Sequence, residues 1–299
     1  MRRPIKLLIL TLLVLTACSR PAATAQPSAP PSVVEAGPST IPAFSPTATP
    51  TLMPLFPESL TNVELHQRLD PFSAVEGSCP LPCYNGLTAG QSNMQDVLVF
   101  YSHLGIGATD LIPGDYEAAQ DGSGRLSAWL TKTSDVLQAE EMGLVPPLVN
   151  VYLQDNVVQY VYVGWEYLPP YLHPSHVLEQ LGQPDGLNLA LLFNQNPPSY
   201  LLQFVYTQKG IGVAFSGPMP GDSSLREVCL SSEQVNVTVF GVFIPGTVPM
   251  EGLSNAEYLL PLEAALGLSY TDFADLLSAG ECLGIPAAQW TPWQTMQSP

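Results

Sequence analysis

Basic residues are scarce. Nine Lys and Arg stand against 26 Asp and Glu in 299 residues, and Arg2, Arg3 and Lys6 all fall at the very start. The remainder holds no basic patch for a phosphate backbone or anionic head groups, so nucleic acid is excluded as a partner. Charge of either sign is thin, at 12% of residues, where about a quarter is usual. Polarity comes instead from Gln, Asn, Ser, Thr and Tyr, which suits an extracytoplasmic surface. Long apolar runs are missing too. Leu7 to Thr16 is the length of a signal-peptide core, well short of the roughly 20 residues of a spanning helix.

Catalytic signatures are equally sparse. Histidine is limited to His66, His103, His173 and His176. In His173-Pro174-Ser175-His176 a proline at the helix start spoils the i, i+4 geometry of a zinc pair. The G-x-S-x-G, S-x-x-K, H-E-x-x-H and P-loop patterns do not occur, so no nucleophile, zinc-hydrolase or nucleotide site is signalled. Asp121-Gly122-Ser123-Gly124 lacks the spaced acids of a calcium loop and reads as a turn. The acid pairs Glu140-Glu141 and Asp272…Asp275 read as surface charge. No cofactor and no metal are expected, and the chain reads as a non-enzyme.

What is present begins with Leu15-Thr16-Ala17-Cys18, at the end of the apolar run. These residues resemble the lipobox of bacterial lipoproteins, in which the signal peptide is cut before the cysteine and that cysteine carries the lipid. The resemblance implies a signal peptide over 1–17, acyl chains (palmitate among them) on Cys18, and a place in the bacterial cell envelope, anchored outside the cytoplasmic membrane. Each chain adds about 0.8 kcal/mol per buried methylene, so several together hold permanently. Removing the leader takes three bases and no acids; six bases then face 26 acids, a net charge of −20.

Residues 18–58 shift to Pro, Ala, Ser and Thr, and as far as Pro57 Glu35 is the only acid and Arg20 the only base. Such a segment cannot bury enough surface to offset its ordering entropy and reads as an extended tether. At about 3.1 Å per residue where extended, it would reach on the order of 100 Å from the membrane.

Residues 59–299 are expected to form the globular region, admitting subdomains at 79–165 and 166–299. Besides Cys18 it holds Cys79, Cys83, Cys229 and Cys282. An even number in an exported chain points to two disulfides with three connectivities. Cys79 and Cys83 are close in sequence and held by two prolines, so they are expected to pair. A Cys229–Cys282 bond would tie the C-terminal helical segment to the sheet. Cys79-Pro80-Leu81-Pro82-Cys83-Tyr84-Asn85-Gly86-Leu87, followed by Ala89, Gly90 and Ser92, also resembles a C-P-x-P-C-W-x-G-I-x-P-G-x-T segment of uncharacterised bacterial lipoproteins. There it follows a Pro/Thr-rich tether and opens the folded domain. This resemblance implies kinship and a domain boundary and brings no activity.

Pattern along the chain predicts an α+β fold of antiparallel strands and short helices. Residues 59–76 read as a poorly regular lead-in. Ser92 is expected to cap a helix that Gly105 stops, with strands over 126–130, 148–154 and 157–163 and a turn at Asp155-Asn156. A second helix over 174–181, stopped by Gly182, precedes strands over 189–193, 200–207 and 211–215. The order helix, glycine stop, three strands thus occurs twice and suggests a degenerate tandem repeat. Val235, Val237 and Val239 alternate with Asn236, Thr238 and Phe240 in a further strand. Helices are expected over 254–266, capped by Ser254, and 270–279. This order resembles the small modules of outer-membrane assembly-factor lipoproteins and of the β-lactamase-inhibitor protein, a likeness of architecture that carries no site.

Residues 151–171 concentrate Tyr152, Tyr160, Tyr162, Trp165, Tyr167 and Tyr171. Rigid aromatics give large contact area for little entropy loss, so Tyr162, Trp165 and Tyr167 are the expected anchors for an envelope protein or a glycan. The function expected is a non-catalytic binding or envelope-structural module. The alternative is an extracytoplasmic hydrolase acting on cell wall or glycan, which would need two carboxylates converging in a cleft.

Overall fold

In the computed structural model the described residues are 60–73, 79–107, 111, 123–130, 147–231, 233–247 and 258–297. Cys18, the tether, Asp121-Gly122, Glu140-Glu141 and Ser254 lie outside them. The supposed lead-in is a helix, α1 (Asn62–Leu69). The Thr61 hydroxyl accepts from the Glu64 N–H and the Glu64 carboxylate accepts from the Thr61 N–H, a reciprocal capping box.

Cys79 and Cys83 are disulfide-bonded, and Cys83 starts a tight hairpin, β1 (Cys83–Tyr84) and β2 (Leu87–Thr88). Asn85 and Gly86 take φ of 49° and 86° at its turn, as a two-residue loop requires. In α2 (Met94–His103) Asn93, not Ser92, is the cap. Asn93 Oδ1 accepts from the Gln95 and Asp96 N–H groups, and Asp96 reaches back to the Asn93 N–H. The acid three residues on favours Asn93, and Ser92 Oγ accepts from the Thr88 N–H instead.

The strands that follow are β3 (Gly124–Trp129), β4 (Leu148–Gln154) and β5 (Val157–Trp165). After α3 (Pro174–Leu181) come β6 (Gly186–Leu192), β7 (Ser199–Tyr206), β8 (Ile211–Pro218), β9 (Leu225–Val228), β10 (Val237–Phe243) and β11 (Leu260–Pro261). The short helices α4 (Leu262–Leu266) and α5 (Tyr270–Ala279) precede β12 (Leu283–Pro286), and α6 (Thr291–Met296) follows. Eight strands make one antiparallel sheet in the order β11-β6-β7-β8-β10-β5-β4-β3. The fold is α+β, with strands from both sides of residue 165 in the same sheet. Asp155 and Asn156, at φ of 52° and 60°, form the β4–β5 turn.

Alternation decides what each strand buries. Val149, Val151 and Leu153 of β4 and Val161, Val163 and Trp165 of β5 are at most 1% exposed. They share one core with Val97, Phe100 and Tyr101 of α2, Val177 of α3 and Phe273 of α5. Each such aliphatic or Phe side chain contributes about 1.5–3 kcal/mol relative to exposure. On β10 Thr238, Phe240 and Val242 are at most 1% exposed, while Val237 is 39% exposed. The register pairs Thr238 with Trp165 and Phe240 with Val163, which puts that set on the core face.

Near the C-terminus the structure departs from the expected helix over 254–266. Leu260–Pro261 is a strand paired with Asn188 and Leu189 of β6, and among the described residues of that stretch the α-helix runs from Leu262 to Leu266. Trp293 of α6 is fully buried, and its indole N–H is shared between the carbonyls of Leu189 and Tyr258. Beyond it, Gln297 Oε1 accepts from the Phe193 N–H at 2.8 Å and its Nε2 donates to the Leu191 carbonyl. One amide side chain thereby continues the pairing of β6 where β11 ends. The second disulfide, Cys229–Cys282, extends the β9–β12 ribbon by one step past the Val228–Leu283 pair.

Candidate functional site

One face of α1 points away from the core. Leu65 and Leu69 anchor the helix at 5% and 0% exposure, while Val63 is 66% exposed. Val63, His66, Gln67 and Asp70 recur at helical spacing on one stripe. With Tyr171, from the 3₁₀ turn Pro170–Leu172, they line an open groove of about 320 Å³. The C-terminal end of α1 is fixed by its neighbours. Tyr84 donates its hydroxyl to the Leu69 carbonyl at 2.9 Å, and Asn85 Nδ2 donates to the Arg68 carbonyl at 2.6 Å. Two of the carbonyls that a helix end leaves open are thus satisfied. Asp70 Oδ1 accepts from the Phe72 N–H at 2.9 Å, which holds its carboxylate at the end of the groove.

Aromatic rings back this groove. Trp165 and Tyr171 meet edge to face with centroids 6.1 Å apart, and His66 and Tyr167 do so at 6.4 Å. Phe72 and His176 pack in the same way at 5.6 Å. Three polar atoms here are buried without a hydrogen-bond partner: the Trp165 Nε1, the Tyr171 hydroxyl and the Thr238 Oγ1. Burial pushes the Tyr171 hydroxyl far above the usual tyrosine range. Tyr84, Tyr167 and Asp70 add to that, and the Trp165 indole offsets a little without reaching hydrogen-bonding geometry. Burial likewise pushes Tyr167 up to about 12. His66 is exposed on one side, yet burial of its packed side lowers its pKa. His173 is lowered by burial and then by His176.

The expected aromatic surface needs correction. Trp165 is 1% exposed and belongs to the core. Tyr162 stands an odd number of residues away, so it lies on the opposite face of the sheet. There Tyr160 stacks between Tyr152 and Tyr162, at 5.0 and 6.1 Å. Tyr167 lies past the strand end, against His66. Tyr162, Trp165 and Tyr167 therefore do not form one surface.

The remaining candidates also find their places. His173 Nδ1 meets Ser175 Oγ at 2.8 Å, and His176 Nδ1 lies 3.6 Å from Glu179. Asp272 accepts from the Ser269 hydroxyl in the cap of α5, and Asp275 is exposed on the same helix. Glu227 lies beside Cys229 and Cys282, but both sulfurs are committed to the disulfide. Sequence reasoning missed Val63, His66, Gln67, Asp70 and Tyr171 as a set. The Thr61…Glu64 capping signature was the signal that could have placed α1. No protein-family model matches the chain, and neither does any curated protein or solved structure.

Proposed function

We propose that the protein is a lipid-anchored module of the bacterial cell envelope that binds an envelope protein or a glycan without chemical turnover. The observation that carries the binding reading is the α1 groove. An exposed valine, three polar side chains and a tyrosine line it, over aromatic rings that keep two polar atoms unspent. The Leu15-Thr16-Ala17-Cys18 sequence supports the anchor. Two disulfides suit an oxidising compartment.

In this reading the runs α2-β3-β4-β5 and α3-β6-β7-β8 are diverged copies of one unit, joined through β10. Val97 and Val177 are both fully buried at matching places in the two helices. Gly105 and Gly182, at φ of 76° and 75°, follow the two helix ends.

The test is expression of the full chain in a bacterium fed labelled fatty acid. Wild-type chain is expected to take up label and sediment with membranes, and Cys18→Ser to do neither. Label on Cys18→Ser would refute the anchor. Hydrolysis of peptidoglycan or glycan by the purified chain would refute the non-catalytic reading.

A further inference from the structure

We infer that the Cys79–Cys83 bond is a thiol–disulfide exchange site, which takes two electrons from a dithiol while the fold stays closed. The inference goes beyond the binding reading and does not depend on it.

The two disulfides sit in opposite electrostatic settings. Cys79 and Cys83 are both partly exposed, and the Gly86 N–H donates to Cys79 Sγ at 3.3 Å. A donor aimed at a sulfur favours the thiolate, which is the group that attacks and leaves in exchange. At the other bond Cys229 is 2% exposed, and a Glu227 carboxylate oxygen and both sulfurs all lie within 4.8 Å of one another. That carboxylate repels an incoming thiolate and disfavours a departing one. Cys282 is exposed, so charge rather than access separates the two sites. Among the described residues no Asp, Glu or His is grouped in this way with Cys79 and Cys83.

The chain around Cys83 is held without the bond. Tyr84 is 2% exposed and donates to the Leu69 carbonyl, and Asn85 donates to the Arg68 carbonyl. Cys83 and Tyr84 pair with Thr88 and Leu87 across the hairpin. Opening a bond of separation 4 therefore leaves the β1–β2 hairpin and the end of α1 in place.

In the exchange a donor thiolate attacks Cys83 Sγ. The S–S bond breaks and its electron pair leaves on Cys79 Sγ, where the Gly86 N–H meets it. The donor's second thiolate then attacks the donor sulfur of the mixed disulfide and releases Cys83. The donor ends as a disulfide, and its two protons end on Cys79 and Cys83.

The test uses the full chain purified in detergent and equilibrated with graded ratios of reduced to oxidised dithiothreitol. Acid quenching, alkylation with N-ethylmaleimide and peptide mapping then locate the thiols. Cys79–Cys83 is expected to open at a ratio at least about tenfold lower than Cys229–Cys282, with the circular dichroism unchanged. Reduced thioredoxin in a parallel arm tells a protein dithiol from a small one by the faster reaction at equal thiol concentration. Cys83→Ser and Cys79→Ser each leave one thiol of the pair. At pH 7 the Cys79 thiol should react with iodoacetamide at least about threefold faster than the Cys83 thiol. Opening of both bonds together, opening only with loss of the folded signal, or a Cys79 thiol no faster than Cys83 would overturn the site. If a variant does not fold, the wild-type titration decides alone.

Discussion

Thr238 on β10 and Trp165 on β5 are direct cross-strand partners, and each buries a polar atom that no hydrogen bond reaches. Both lie at the core face, at 0% and 1% exposure. A buried unsatisfied group costs about 1–3 kcal/mol, so this pair is a local weakness in an otherwise apolar layer.

Thr238→Val removes the stranded hydroxyl while keeping a β-branched shape. It is expected to stabilise by about 1 kcal/mol and to raise the melting temperature by about 2–4 °C. Thermal unfolding followed by circular dichroism reads this directly. A clear loss of stability would mean that Oγ1 is satisfied in solution.

Trp165→Ala is expected to cost about 3–5 kcal/mol, the range for emptying a core aromatic position. Tyr162→Ala, on the other face, should cost clearly less. Denaturant titration of the two variants side by side checks the assignment. Equal small losses would return Trp165 to the surface.

Much of the sheet was legible because alternation and turn chemistry act locally. Asp155-Asn156 announces its hairpin, and Gly105 and Gly182 announce helix ends. The cap at Asn93 was missed because Ser92 is as good a cap in isolation, and only Asp96 tips the choice. On β10 the alternation marks a strand without saying which face is buried; that is decided by register against Trp165, a relation no local pattern contains. The groove was hidden for a similar reason. Three of its residues come from α1, Asp70 from that helix's C-cap and Tyr171 from a distant turn, joined only through tertiary packing. The β6 edge, closed by a side-chain amide from Gln297, leaves no periodic trace at all.

Removing the Cys229–Cys282 bond by the double change to serine is expected to cost about 4 kcal/mol, given its separation of 53 residues. The Cys79–Cys83 bond spans a separation of 4, and its loss should cost about 2 kcal/mol in the same chain-entropy treatment. Peptide mapping without reduction tests the connectivity, and equilibrium unfolding of the two double mutants tests the ranking. A link between Cys79 or Cys83 and either distal cysteine would refute both.

Stability should fall at both ends of the pH scale. His66 and His173 have folded pKa values below the ordinary 6.5, so the unfolded chain takes up protons first. Their contribution is present above 6.5 and is lost as pH falls through the lowered values. Tyr167, raised from 10.0 to about 12, works in the opposite direction. Its contribution is full below 10 and is lost as pH rises toward 12. Tyr84, Tyr171, Tyr200 and Tyr206 are raised by burial as well. Ultraviolet titration should therefore show part of the tyrosine ionising only together with loss of the folded signal. Smooth ionisation of every tyrosine near pH 10 in the folded protein would contradict this.

The position of β10 has a consequence for the order of assembly. Each three-stranded meander is built from neighbours in sequence and can close early, since local contacts cost little loop entropy. The two meanders are not hydrogen-bonded to each other in the sheet: β10 lies between β5 and β8 and pairs with both. Until residues 237–243 arrive, β5 and β8 each present an open row of backbone donors and acceptors, the kind of edge that recruits other chains. The interval of greatest aggregation risk during folding is therefore set by one late strand, which acts as the keystone of the arch.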